Sequence, residues 1–329
     1  MAGNIRIVDI AIYHPEKIVN NDFYVEYFKS KGKDIKKLHQ EVYKRKLSYV
    51  IDPDSNENSL TMMIEAAQKV LDKTGLKGSD MDGIIVASQI PEYVVPACAV
   101  MVHHAIGGSS EAFAHDINSN CRSMLVAMEN SYHYMQSNHK IKRVLIVGGE
   151  YSSGVQDPEN ELAYGTFGDS ACALILERVD EGSGFIDSCF FMNNEYYDQM
   201  LYPKCGMSKI FDASREEIYS MMGKVGCDLD VVKNRIEKML ADNNLKIEDI
   251  GAFCFSQLLY KNMEILRSEL NIPEEKSIFI ADKYGYTGST SPLLAFYESI
   301  EQKIIKRGDY VMFWTLGAGM QHIFLLIRY

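Results

Sequence analysis

Residues 71–89 read LDKTGLKGSDMDGIIVASQ, and residues 240–257 read LADNNLKIEDIGAFCFSQ. Each runs from a helix end, through a Leu-Lys turn, into a strand that closes on Ser-Gln. A second pair follows: KRVLIVGGE at 142–150 and GDYVMFWTLGAG at 308–319, both strands running into glycines. The copies lie about 168 residues apart, too far for a solenoid period. A chain of 329 residues with this pattern is expected to hold two copies of one unit packed face to face. We place the joint near Val179–Gly184 (VDEGSG), which divides the chain into halves of residues 1–180 and 181–329. Residues 190–230 break the symmetry and are expected to form an insertion or cap in the second half.

The unit itself is α/β. Asp82–Ser88 is a short β-branched run of the kind buried in a sheet. Ser59–Thr74 repeats Leu60, Met63, Ile64, Ala67, Val70 and Leu71 at helical spacing, with Gly75 as its C-cap. Lys142–Val147, ending at Gly148-Gly149, and Cys172–Leu176 are further strands. Alternation of this sort predicts mostly buried sheets covered by helices.

Apolar residues make up 47% and charged residues 24%, a globular mixture. The net charge of −11 argues against a general nucleic-acid binder, which needs a basic footprint. The longest apolar runs are strand-sized, well short of the ~20 residues of a membrane span. Met1–Ile10 carries Arg6 and Asp9 and lacks a signal-peptide core. The expected location is the cytoplasm. The seven cysteines, at 98, 121, 172, 189, 205, 227 and 254, are odd in number and form no C-x-x-C. Neither a disulfide framework nor a metal site is expected.

Cys121 stands apart from the others. It sits in AHDINSNCRSM (114–124), with a polar segment before it and a helix-like run after it. A helix start offers unpaired N–H groups and the positive end of the dipole, which favour a thiolate. Cys121 is therefore a candidate nucleophile, and a buried helix-start cysteine is the alternative. LGAGMQ (316–321) supplies small residues after a strand, where backbone N–H groups can approach a thioester oxygen. FCFSQLL (253–259) and ADKYGYTGSTS (281–291) are strand-end loops that a two-copy fold turns toward Cys121. His115 and His322 lie near these loops and are candidate bases, with an ordinary core or surface histidine as the alternative for each.

These motifs, DINSNC (116–121), FGDSACALIL (167–176), YGYTGSTSPLLAF (284–296) and the ending LGAGMQHIFLLIRY, resemble β-ketoacyl-acyl-carrier-protein synthase III of the thiolase-fold condensing enzymes. The resemblance runs from the opening strand Ile5–Ile10 to Tyr329. It implies an αβαβα sandwich of two duplicated halves. It also implies an acyl-thioester on Cys121, with the backbone N–H groups of Cys121 and Ala318 as the oxyanion hole. No cofactor is implied; a coenzyme A or phosphopantetheine thioester is the substrate. The partners implied are acyl-CoA or acyl carrier protein, and a homodimer or a heterodimer with a related chain, built on Glu111–Ile117.

Two departures bear on the chemistry. The family carries a His in a His-Gln-Ala-Asn motif and an Asn in Gly-Asn-Thr; this chain has Ser256-Gln257-Leu258-Leu259 and Gly285-Tyr286-Thr287. Ser256 and Tyr286 thus stand at the catalytic positions. Ser256 donates one hydrogen bond but carries no positive charge, and Tyr286 has bulk where a malonyl group needs space. Decarboxylative condensation is expected to be impaired. Lys261 and Gln257 are the substrate-binding candidates, and Lys44-Arg45-Lys46 is the nearest basic stretch to a coenzyme A mouth. The expected function is acyl transfer through Cys121 to a carbon, amine or alcohol acceptor in fatty-acid-like or secondary-metabolite biosynthesis. The alternative is a catalytically impaired binding subunit of a heterodimeric condensing enzyme.

Overall fold

The computed structural model describes residues 4–180, 182, 184–223 and 226–329. Glu181 and Ser183 of the expected joint, and Lys224 and Val225 of the expected cap, lie outside the described residues. The first sheet holds β1 (Asn4–Tyr13), β2 (Gly83–Ala87), β3 (Phe113–Ile117), β4 (Arg143–Glu150) and β5 (Ser170–Val179), in the order β1-β5-β4-β2-β3. The second holds β6 (Gly184–Met192), β7 (Ile250–Phe255), β8 (Tyr310–Gly317) and β9 (Gln321–Arg328), in the order β7-β8-β9-β6. Both sheets hold a parallel pair, β2 with β4 and β7 with β8, and in the first sheet β2 also pairs parallel with β3. Two antiparallel pairings then follow: β4–β5–β1 in the first sheet and β8–β9–β6 in the second. The strands repeated in the sequence, β2 with β7 and β4 with β8, occupy equivalent places. The first sheet adds β3 at its edge.

Side-chain alternation along the strands sets the layers. From β2, Ile84 and Val86 face the helix α1 (Ser59–Thr74), together with Leu145, Val147 and Ile175. Ile85, on the other face of β2, joins a central core in which α2 (Ser123–Ser137) supplies Met124, Leu125 and Met128. There the chain's later helix Ser291–Glu301 supplies Leu293, Leu294 and Phe296, and the second sheet closes the layer with Phe313, Ile323 and Leu325. The outer face of that sheet, Phe253, Phe255, Trp314 and Phe324, packs on Leu229–Asp242 and Tyr260–Glu269. The result is five layers, αβαβα. Both sheets are covered on two sides, which is why β2 reads as an unbroken apolar run.

The helix α1 matches its expected limits. Asn58 accepts from Thr61 N–H while Thr61 Oγ1 accepts from Asn58 N–H, and Gly75 at φ +70° ends it. The strand expected to stop at Gly148-Gly149 instead runs on to Glu150. The two glycines are needed inside it: a Cβ on Gly148 would lie 2.5 Å from Met124 Sδ, and one on Gly149 would lie 2.4 Å from Met63 Cγ. The helices α1 and α2 press on the sheet from opposite sides at this point. Among the described residues, no helix is long and apolar enough to cross a membrane.

Candidate functional site

Cys121 lies on a 3-10 turn, Asn120–Arg122, that leads directly into α2. Ser123 pins the turn: its Oγ accepts from Ser119 N–H and donates to Asn120 O, both at 2.7 Å. Gly317 at the end of β8 comes down on this turn, and a Cβ there would sit 3.1 Å from Asn120 Cβ and from Ser119 O. A side chain at 317 would drive apart the cysteine turn and the glycine loop.

The sulfur opens on an apolar cavity of about 200 Å³. Leu316–Met320, with Ala318 among them, form one wall, and Leu258, Leu259 and Tyr286 form another. Tyr196, Met200 and Met222 come from the 190–230 region, which serves as a cap over the cavity. A pocket of this lining fits an acyl chain or a similarly apolar arm better than a charged substrate.

Tyr286 is fixed by its own backbone. Its N–H donates to Thr166 O and its carbonyl accepts from Gly168 N–H, both at 3.0 Å, while its ring packs on Phe167. Its phenol is fully buried beside Cys121 and Ser256, and burial holds it well above its ordinary pKa. It therefore stays a neutral donor. Ser256, just past β7, is buried, and its Oγ has no hydrogen-bond partner among the described residues.

The thiolate expected from the helix start does not follow. Burial pushes the Cys121 thiol up to about 11, and the Glu150 carboxyl adds to the rise. The Tyr286 hydroxyl and the cysteine's own N–H oppose it. The short-range gain of a helix start is outweighed by removal from water.

Several candidate residues lie elsewhere. Gln257 is fully buried and serves the fold: its Nε2 donates to Phe255 O and Ile278 O, and its Oε1 accepts from Ile280 N–H at 2.9 Å. With its amide used on three backbone groups, it is not a substrate contact. Lys261 lies on the exposed face of Tyr260–Glu269, paired with Glu264 at 2.5 Å, and does not line the cavity. Arg45, from the expected basic mouth, is buried, and its guanidinium donates to the carbonyls of Tyr43, Thr166 and Leu258. It ties the two halves together and offers nothing to a phosphate. His322 accepts from Trp314 Nε1–H at 3.3 Å in the core of the second sheet, where burial lowers its pKa to about 4. His115 stacks against Phe113 and lies within 6.3 Å of the Tyr134 ring. Neither histidine lines the cavity.

Two residues not singled out from the sequence belong to the site. Gln89, at the end of the β2 segment, accepts the Cys121 thiol on its Oε1 at 3.2 Å. Glu150, the last residue of β4, is fully buried and accepts from Gln89 N–H at 3.1 Å and Ser289 Oγ at 2.6 Å. Gln89 carried a signal, since it closes one of the two repeated Ser-Gln strand ends. Glu150 carried none beyond an acid at the end of an apolar strand. Among the described residues, no group of three or more His, Cys, Asp or Glu side chains is placed to hold a metal.

The chain is similar to known proteins in sequence and fold. Residues 115–194 match the family model described as 3-Oxoacyl-[acyl-carrier-protein (ACP)] synthase III, and residues 240–329 match its C-terminal counterpart. The beta-ketoacyl-[acyl-carrier-protein] synthase III of Clostridium perfringens strain SM101 is 26% identical over 322 residues, covering 96% of this chain and 97% of that protein. That of Ehrlichia canis strain Jake is 27% identical over 325 residues, covering 98% of each. The crystal structure of 3-oxoacyl-[acyl-carrier-protein] synthase III from Aquifex aeolicus VF5 superimposes with a TM-score of 0.86 at 22% identity, covering 99% of this chain and all of that one.

Proposed function

This chain belongs to the 3-oxoacyl-acyl-carrier-protein synthase III family of thiolase-fold enzymes, and from that premise we propose that it is an acyltransferase that carries its acyl group on Cys121. The donor is an acyl-CoA or acyl-carrier-protein thioester. The acceptor is a carbon nucleophile, an amine or an alcohol, in fatty-acid-like or secondary-metabolite biosynthesis. The observation that carries the reading is the Cys121 sulfur opening on an apolar cavity beneath the Leu316–Met320 loop.

In the loading step the Cys121 sulfur attacks the donor carbonyl. A carbon–sulfur bond forms and the carbonyl electrons move onto oxygen. The N–H groups of Cys121 and Ala318 meet that charge. Collapse expels the donor's thiolate, which takes up the proton that left Cys121, so one thioester replaces another. Tyr286 adds a neutral donor beside the sulfur, with Ser256 next to it. They stand in place of the His and Asn with which the family meets the charge of malonyl decarboxylation, so that route is expected to be impaired. The half-buried edge strand β3 offers unpaired backbone groups to a second copy or a related chain, which supports a dimer through Glu111–Ile117.

The test is incubation with a panel of acyl-CoA thioesters followed by intact-protein mass measurement. One acyl mass should add per chain. The gain should vanish in Cys121→Ala and persist in Cys172→Ala. Equal labelling of both variants would remove Cys121 from its role.

A further inference from the structure

The acyl-carrier reading leaves unexplained a carboxyl sealed within the site. Glu150 ends β4 with no exposure, and no ion pair among the described residues involves it. Its contacts are all uncharged donors. Gln89 N–H and Ser289 Oγ reach its Oε1, and Ser88 Oγ lies 3.4 Å from its Oε2. Gln89 is held at both ends. Its backbone is bound by Glu150, and its side chain bridges Cys121 Sγ and Ser152 Oγ. Gly288, at φ +60°, packs directly against the pair: a Cβ there would lie 3.0 Å from Gln89 Nε2 and 3.2 Å from Glu150 Cγ. A side chain at 288 would press on both residues.

We propose that Glu150 is a positioning residue for Cys121: through Gln89 it keeps the thiol protonated against the cavity wall, and its own ionisation state governs how readily the sulfur becomes a nucleophile. The proposal rests on Cys121 being the reactive group of the proposed function. A carbonyl oxygen that accepts S–H stabilises the neutral thiol. A carboxylate beside it disfavours the thiolate further. Burial raises Glu150 to about 7, so it changes charge across neutral pH. The titratable groups that feel this charge are Cys121, on the turn before α2, and Tyr286, on the loop before Ser291–Glu301. Ser88 and Gln89 beyond β2, Ser152 beyond β4, and Ser289 face the pair as neutral partners. The neutral carboxyl is thus the state in which the thiolate is most accessible, and the ionised one holds the sulfur back.

The experiment is the rate of iodoacetamide alkylation of Cys121 in the full chain, read by peptide mass across pH 5.5–9. It needs no acyl donor, so its outcome is separate from that of the acyl-loading test. In the wild type the logarithm of the rate should climb with a slope below one around pH 7 and approach unit slope on either side. Glu150→Gln should give a straight line of unit slope and alkylate on the order of tenfold faster at pH 8.5, the effect of about one pKa unit. Gln89→Leu keeps the carboxyl and removes the acceptor; it should react roughly threefold faster at every pH, the worth of one hydrogen bond. A wild-type profile of unit slope throughout overturns the proposal even if Glu150→Gln fails to fold. So does a Gln89→Leu rate equal to that of the wild type.

Discussion

At the scale of single residues, the proposed function turns on two side chains. Decarboxylation of a malonyl thioester builds negative charge on the thioester oxygen, and the family meets it with a His and an Asn. Ser256 and Tyr286 stand there instead, both buried, with the phenol held neutral. Acyl loading needs neither. The unmodified protein should therefore acylate at Cys121 while releasing carbon dioxide from malonyl-CoA near the uncatalysed rate. Ser256→His with Tyr286→Asn should raise that release, and each single change should do less, since two donors on one oxygen act as a unit. Brisk release by the wild type would show that another group has taken over. Gln257 makes the opposite case. Its three backbone hydrogen bonds join the end of β7 to residues 278–280. Gln257→Ala should lower the stability measured by urea unfolding by about 2–3 kcal/mol, through buried groups left unpaired. An unchanged urea midpoint with a weakened acyl-CoA Km would restore it as a substrate contact.

Among the elements, the turn before β5 ties the reactive centre to the rest of the molecule. Phe167 and Gly168 run beside Tyr286, and Gly168 packs so closely that a Cβ would fall 1.9 Å from Tyr284 O. That carbonyl belongs to the backbone and cannot swing aside. Gly168→Ala should therefore displace residues 284–286 and lower the stability measured by urea unfolding by about 1–3 kcal/mol, the cost of forcing packed backbone apart. An unchanged urea midpoint would mean that the 284–286 backbone gives way without cost. The repeat has a related consequence. Ser88-Gln89 and Ser256-Gln257 end equivalent strands, yet one glutamine takes the Cys121 thiol and the other stitches backbone. Equivalent position in the two copies did not preserve role, because only the first copy carries the cysteine turn.

For the molecule as a whole, burial of acids sets a pH dependence. Burial raises Glu150 to about 7 and Asp169 to about 6, each above its ordinary value. The folded state then binds protons more tightly than the unfolded chain. The stability contributed by these groups is complete below their ordinary values and is lost as pH rises through about 6 and 7. Urea midpoints for the wild type should fall between pH 5 and 8, and Glu150→Gln should flatten part of that fall. A midpoint that rises over the same interval would contradict the sign. Assembly belongs to this scale too. The purified protein, alone or with a related chain from its source, should sediment as a dimer at micromolar concentration; a persistent monomer with no such chain recovered would remove Glu111–Ile117 as the contact.

Periodicity and repetition determined much of this protein. The helix Ser59–Thr74 and its Gly75 cap, the buried strand β2, and the equivalence of β2 with β7 and β4 with β8 follow from apolar spacing that any fold must satisfy locally. The motif around Cys121 likewise placed the sulfur at a helix start. What lay outside local pattern was decided by packing. Arg45 and Lys261 both read as cations near a coenzyme A mouth, but one is buried among carbonyls from both halves and the other faces water. Cys121 read as an activated thiol, and its burial beside Glu150 reverses that. The reason is the same in each case. Spacing along the chain reports which face of an element is apolar, whereas charge state and hydrogen-bond partners depend on residues far along the chain, 213 positions away for Arg45 and Leu258, that only the closed sandwich brings within reach.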